Sequence, residues 1–257
     1  MTTTIAIASG KGGVGKTTIS VNLSLSLALQ NKETLLLDAD LGMANSHILL
    51  GINPKFTLDD FVTGKSSIDD VITITKDKLK FISGGSAINN LLNLSNLERH
   101  KIIQSFNNIK KRPEYMLIDV GAGAEASSMT FMASSDKIII VLTGEPTSFI
   151  DAYSLIKAAF LDYKINNFGV VLNMTVSEMQ AKLNFNKFQS ITQKFLDVNL
   201  KYLGHVNSSQ RIRNSIISRT PLMSKNNKNP DTKYFENISQ ALSSLDSNNT
   251  GSIKFFD

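Results

Sequence analysis

The segment Gly10-Lys11-Gly12-Gly13-Val14-Gly15-Lys16-Thr17-Thr18 constrains this chain more than any other. It fills the pattern G-x-x-x-x-G-K-[ST], in which backbone N–H groups cradle a β-phosphate, the lysine reaches the β/γ oxygens and the next hydroxyl takes Mg²⁺. ATP and Mg²⁺ are therefore the expected ligands. Gly12, Gly13, Val14, Gly15, Lys16, Thr17 and Thr18 form the expected cradle, with Thr17 on the metal. Lys11 is a second lysine, at the opposite end of the loop from Lys16 and directed away from its own phosphates. That position predicts contact with a nucleotide held by a second copy, and hence an ATP-dependent homodimer.

A phosphate cradle needs a strand to deliver it and a helix whose N-terminus faces the anion. Thr3 to Ala8 reads as a buried strand. Beyond the loop, Ile19, Val21, Leu23, Leu25 and Leu27 alternate with Ser20, Asn22, Ser24 and Ser26, which by periodicity alone is a strand. The cradle overrides that score and predicts a helix from Thr17, since the same apolar residues also fit i, i+4 spacing.

At 257 residues with 42% apolar content, the chain is long enough for a full α/β core. It contains no cysteine, so disulfides, iron–sulfur clusters and thiolate zinc sites have no ligands in it. With neither a basic leader nor a run of 18 apolar residues, the sequence predicts a cytoplasmic protein. Its net charge of +5 is mild.

Strands are expected at Thr34–Leu37, Lys78–Ile82, Tyr115–Ile118, Lys137–Leu142, Phe168–Leu172 and Leu200–Val206. Helices are expected at Asn96–Lys110, Ser148–Asp162, Ser177–Leu196 and Thr232–Leu245. This is βαβ repeated: a mostly parallel central sheet with helices on both faces, and ligands at the carboxyl ends of the strands. Ser224–Pro230 and Asp246–Gly251 have the composition of mobile segments.

Three acids close or follow two of these runs. Asp119 ends Tyr-Met-Leu-Ile-Asp and is expected on Mg²⁺, with Gly121-Ala122-Gly123 turning close to the γ-phosphate. Asp38 and Asp40, two apart, share a strand face and are expected at the metal and the attacking water. Capping of a following helix is the alternative for each.

In these motifs the chain resembles the MinD/ParA group of deviant P-loop ATPases, over residues 1 to 245. The resemblance implies a single-domain P-loop NTPase at 1–246 and slow, dimer-dependent hydrolysis of ATP to ADP and phosphate. It assigns catalysis to Lys11, acting in trans, together with Lys16 and Asp40. Asp38 then belongs to the metal environment, and Asp119 is the Walker B acid. Asp38-Ala-Asp-Leu-Gly-Met-Ala-Asn45, Ser83-Gly-Gly85, Ile118-Asp-Val-Gly-Ala-Gly123 and Glu145-Pro-Thr-Ser-Phe-Ile-Asp-Ala-Tyr153 are similar to the FlhG/FleN flagellar-number regulators. That implies a switch controlling flagellar number or placement. The flagellar GTPase FlhF and flagellar transcription or basal-body proteins are the implied partners. A MinD-type division-site or ParA-type DNA-partitioning ATPase is the alternative.

The same resemblance assigns Asn173 to the adenine edge, and Asn207 and Ser209 to the second base-contacting segment. That segment departs from relatives in lacking their proline and acidic residue. Unlike many FlhG-type proteins, the chain enters its first strand almost at once, without an extension directed at FlhF. Relatives hold the bilayer with a C-terminal amphipathic helix. Here the stripe Tyr234, Phe235, Ile238, Ala241, Leu242 and Leu245 is expected to pack on the sheet. Residues 247–257 are expected to be a flexible tail touching anionic membrane weakly through Ile253, Lys254, Phe255 and Phe256. Arg211, Arg213 and Arg219, with Lys225, Lys228 and Lys233, are expected to be a solvated face, so DNA is not an expected partner. His47, His100 and His205 lack metal-ligand spacing and receive no role.

Overall fold

The computed structural model describes residues 1–40, 45–85, 95–224 and 229–256. Within them the apolar runs become eight strands of one sheet: β1 Thr3–Ala8, β2 Thr34–Ala39, β3 Thr73–Ile74, β4 Lys80–Ile82, β5 Tyr115–Val120, β6 Lys137–Leu142, β7 Asn167–Thr175 and β8 Asn199–Asn207. Their order is β3-β4-β2-β5-β1-β6-β7-β8. Neighbours pair in parallel except β3 with β4. β1 and β6 match the expected runs. β2 and β5 run further because their pairing continues through the polar ends, Asp38 against Asp119 and Ala39 against Val120. β3 was not expected, because a two-residue edge strand with Ile74 exposed carries no buried run.

Nine helices lie among the described residues: α1 Lys16–Leu29, α2 Ser46–Leu50, α3 Leu58–Val62, α4 Asn96–Ser105, α5 Ala126–Ala133, α6 Pro146–Tyr163, α7 Glu178–Gln193, α8 Gln210–Ile217 and α9 Thr232–Ala241. Their starts obey local chemistry. Ser95 and Glu98 form a capping box at α4, Ser177 accepts from the Gln180 N–H at α7, and a proline opens α6. Two expected helices end early, in 3₁₀ turns at Phe106–Asn108 and Leu242–Ser244. Arg211 and Arg213 lie on α8, whereas Arg219 lies beyond its end at a positive φ of 51°.

The sheet is buried on both faces, as parallel strands require. Ala6, Leu35, Leu37 and Ile118 join one apolar cluster, and the alternate residues Ile5, Ile7, Leu36 and Leu117 join the other. α1 sits in the second cluster, between the sheet and α9. Its Ser20, Asn22, Ser24 and Ser26 are at most 3% exposed. Three of them bond the carbonyl four residues back, Ser20 to Lys16 (3.0 Å), Asn22 to Thr18 (2.9 Å) and Ser24 to Ser20 (2.7 Å). A helix whose polar side chains are satisfied by its own backbone can be enclosed on every side, which is why its sequence mimics a strand.

The C-terminal segment corrects the expectation of a free, membrane-touching tail. Asn248 is buried; it accepts from the N–H groups of Asn166 and Asn167 and donates to the Asn167 carbonyl. Lys254 Nζ donates to the carbonyls of Ala133, Ser135 and Asn248. The Phe255 ring, 4% exposed, lies edge-on to Phe106 at 5.2 Å and stacks on Phe131 at 6.1 Å. Ile253 and Phe256 pack against the same cluster. Of the apolar residues assigned to a bilayer, Phe255 belongs to the core and Ile253 and Phe256 pack against it partly buried, with Lys254 bonded between them. No described helix is long and apolar enough to cross a membrane. Phe255→Ala should therefore lower the unfolding free energy by roughly 3 kcal/mol, as buried aromatic truncations do. Urea denaturation would read this, and an unchanged midpoint would restore the picture of a loose tail.

Candidate functional site

The connections out of β1 set the location of the site. β1 lies between β5 and β6, the chain crosses to β2 on one side, and later strands build outward on the other. A crevice opens at such a reversal, outside the carboxyl ends of the strands. The loop from Ser9 to Gly15 fills it and runs into α1. Gly15 holds φ at 83°, and a Cβ there would lie 2.2 Å from Asn173 Nδ2, so neither the conformation nor the space admits a side chain. Above the loop is a cleft of about 660 Å³, lined by Gly12, Gly13, Gly15, Lys16, Thr17, Thr18, Asp40, Asn45, Gly121 and Met174 among others. Its volume suits a nucleotide-sized ligand.

Behind the cleft lies a buried charge cluster. Asp38 of β2 and Asp119 of β5 are register partners on adjacent parallel strands, and both are fully buried. Lys16 Nζ donates to Asp119 Oδ1 at 2.7 Å, and Ser20 Oγ donates to the same oxygen at 2.9 Å. Ser46 Oγ donates to Asp119 Oδ2 at 3.3 Å, and the Ser46 N–H donates to Asp38 Oδ2 at 2.8 Å. The Asp40 N–H donates to Asp38 Oδ1 at 3.3 Å. Burial, and then the negative charge of Asp119, push the Asp38 carboxyl from its ordinary 3.8 to about 7. Lys16 thus matches the charge of Asp119, while Asp38 beside it keeps its proton up to near-neutral pH. This donor set of hard oxygens fits Mg²⁺, with Thr17, Asp38 and Asp119 the residues that would hold it.

Lys11 lies at the rim of the cleft. Its Nζ is 3.0 Å from Glu145 Oε2 and 3.0 Å from Thr147 Oγ1, at the start of α6. The two side chains of this ion pair are 31% and 66% exposed. Lys11 is thus held by residues of its own chain, on a different element from the Asp119 that holds Lys16.

The three adenine positions are engaged elsewhere. Asn173 Nδ2 donates to the Val14 carbonyl at 2.7 Å, which braces the loop from behind. Asn207 Oδ1 accepts from Thr175 Oγ1, and Ser209 caps α8 while donating to Asp231 Oδ2 at 2.6 Å. Neither Asn207 nor Ser209 lines the cleft. The sequence did not assign Ser20, Ser46, Glu145 or Thr147. Ser20, one turn after Lys16, was discoverable from helical spacing. Ser46 and Glu145 carry no local signal, since only the fold brings them to Asp119 and Lys11. Leu41 to Ala44, within the motif that follows Asp38, lie outside the described residues, as do Lys225, Lys228 and Asp257.

The comparisons agree with this geometry. Residues 1–243 match the ParA family model, described as the NUBPL iron-transfer P-loop NTPase. The antiactivator FleN of Pseudomonas aeruginosa is 34% identical over 254 residues, covering 98% of this chain and 91% of that protein. The flagellum site-determining protein YlxH of Helicobacter pylori is 28% identical over 216 residues, covering 84% and 73%. Among solved structures, the septum site-determining protein MinD of Pyrococcus horikoshii complexed with Mg-ADP superposes with a TM-score of 0.75 at 25% identity. It covers 94% of this chain and 96% of its own.

The raised Asp38 carboxyl has a stability consequence with a definite sign. Between pH 4 and about 7 the folded protein binds a proton that the unfolded chain releases, so stability falls as pH rises through that window. Asp38→Asn should flatten this slope. In nucleotide-free protein at pH 8 it should add on the order of 2 kcal/mol, after allowing for one lost acceptor. Thermal unfolding from pH 4 to 8 checks this, and an unaltered slope would exclude Asp38 as the titrating group.

Proposed function

The chain belongs to the ParA/MinD family of P-loop NTPases, and from that membership we propose an ATP-dependent dimerising switch that hydrolyses ATP slowly and regulates flagellar number or placement. The observation that carries the reading is the division of labour between the two lysines of the loop. Lys16 is buried against Asp119, whereas Lys11 stands at the rim on exposed partners. An exposed ion pair is worth at most about 1 kcal/mol, so Lys11 can leave Glu145 for a neighbour's phosphates at little cost. Acting there it would serve as an arginine finger does, a device worth roughly 10³–10⁵ in rate.

Within each copy the loop N–H groups and Lys16 would bind the triphosphate, and Thr17, Asp38 and Asp119 would hold Mg²⁺. Bound Mg²⁺ would neutralise charge developing on the β- and γ-oxygens. Asp40, facing the cleft near Gly121, orients the attacking water. Lys16, now on Asp119 Oδ1, would turn to phosphate when a nucleotide binds, leaving that oxygen to Ser20 and the cation.

The flagellar assignment rests on similarity to FleN along nearly the whole chain. It makes FlhF or a flagellar transcription or basal-body protein the partner of the dimer, and the cytoplasm the place of action. Two observations favour it over DNA partitioning or membrane-based division. Arg211 is paired with Asp231 at 3.6 Å, and the C-terminal aromatic residue Phe255 is spent on the core. Chains of the iron-transfer kind need cluster ligands, and this one has no cysteine.

Specific ATPase activity should rise with protein concentration. Lys11→Ala should cut turnover at least about 100-fold while ATP still binds, and Asp40→Ala should accumulate an ATP-loaded dimer visible by light scattering. Unchanged turnover in Lys11→Ala would overturn the trans mechanism. Altered flagellar number on loss of the gene would support the biological assignment, and unaltered number would remove it.

A further inference from the structure

Ser46 opens α2, and its side chain is fully buried. It bonds both acids of the charge cluster, one through each kind of group it has. The N–H goes to Asp38 Oδ2 at 2.8 Å, which any residue except proline would supply. The hydroxyl goes to Asp119 Oδ2 at 3.3 Å, which only a hydroxyl-bearing side chain of this length would supply. The opposite oxygen of Asp119 is taken by Lys16 and Ser20, both from α1. Asp119 is thus gripped from two sides, by α1 on Oδ1 and by α2 on Oδ2. Its neighbour Asn45 lines the cleft, so the element that grips Oδ2 begins at the ligand's edge.

We propose that Ser46 is a positioning residue for the divalent cation, orienting the Asp119 carboxylate through its hydroxyl. The proposal rests on the Mg²⁺-nucleotide reading of the site. A carboxylate held on one oxygen only is less fixed about its terminal torsion, which is soft. The hydroxyl on Oδ2 adds a second point of attachment, so the Asp119 plane would keep its orientation when Lys16 turns to phosphate. Partners of this kind, one bond removed from a metal, typically carry about 10–100-fold in metal affinity.

The test is calorimetric titration of the full chain with ATPγS, in EDTA and in Mg²⁺. Ser46→Ala should leave the EDTA affinity within twofold of wild type and reduce the gain from Mg²⁺ at least about tenfold. Ser46→Thr, which keeps the hydroxyl, should retain most of that gain. Thermal unfolding of each variant would separate misfolding from a local effect. A Ser46→Ala protein, folded like wild type, with the full Mg²⁺ gain would overturn this proposal alone. A wild type that binds ATPγS no better with Mg²⁺ than without would overturn both the proposal and the nucleotide reading beneath it.

Discussion

Two acids held side by side in the dry interior organise this molecule. β2 and β5 pair in parallel with Asp38 opposite Asp119, and both side chains are fully buried. Buried like charges repel strongly, and the protein answers with one ammonium, two hydroxyls and two backbone N–H groups. Each donor comes from an element that ligand binding must address: Lys16 and Ser20 from the helix behind the phosphate loop, Ser46 from α2, and Asp40 from the end of its own strand. The remaining repulsion shows in Asp38, whose carboxyl keeps its proton up to about pH 7. Completion of the pair by a cation is part of the proposed reading.

That view also explains the firmness of the surroundings. The phosphate loop is supported by Asn173 on the Val14 carbonyl. α1, which carries Lys16, is wrapped on all sides and satisfies its own polar groups. By contrast Lys11 is held only at the surface. The rigid parts are those that face the chain's own ligand, and the loosely held part is the one that faces outward. This distribution supports the proposed reading, in which Lys11 acts on a second copy.

Much of this was legible in the sequence because it depends on local chemistry. The glycines and lysines of Gly10 to Thr18 specify a loop, the loop specifies a helix, and apolar runs ending in Asp38 and Asp119 specify strands aimed at the same place. What was not legible depends on contacts between distant segments. Ser46 reaches Asp119 across 73 positions and Lys11 reaches Glu145 across 134, and no spacing rule covers such pairs. The tail was misjudged for a related reason. Ile253, Phe255 and Phe256 beside Asn248 and Gly251 have the composition of a loose amphipathic end, and only the slot between Phe106 and Phe131 shows where they go. Ser209 caps α8 through the Ile212 N–H, a role its offset from Ile212 makes readable in the sequence.

The docking of that segment has a geometric consequence. Asn248 and Lys254 bond to backbone at Asp136, Asn166, Ser135 and Ala133, all of it preceding β6 or β7. The nucleotide crevice lies past the opposite termini of those strands. A fluorophore or affinity handle attached beside residue 256 would hang beneath the floor of the sheet, leaving the roof, where two copies would meet, unobstructed.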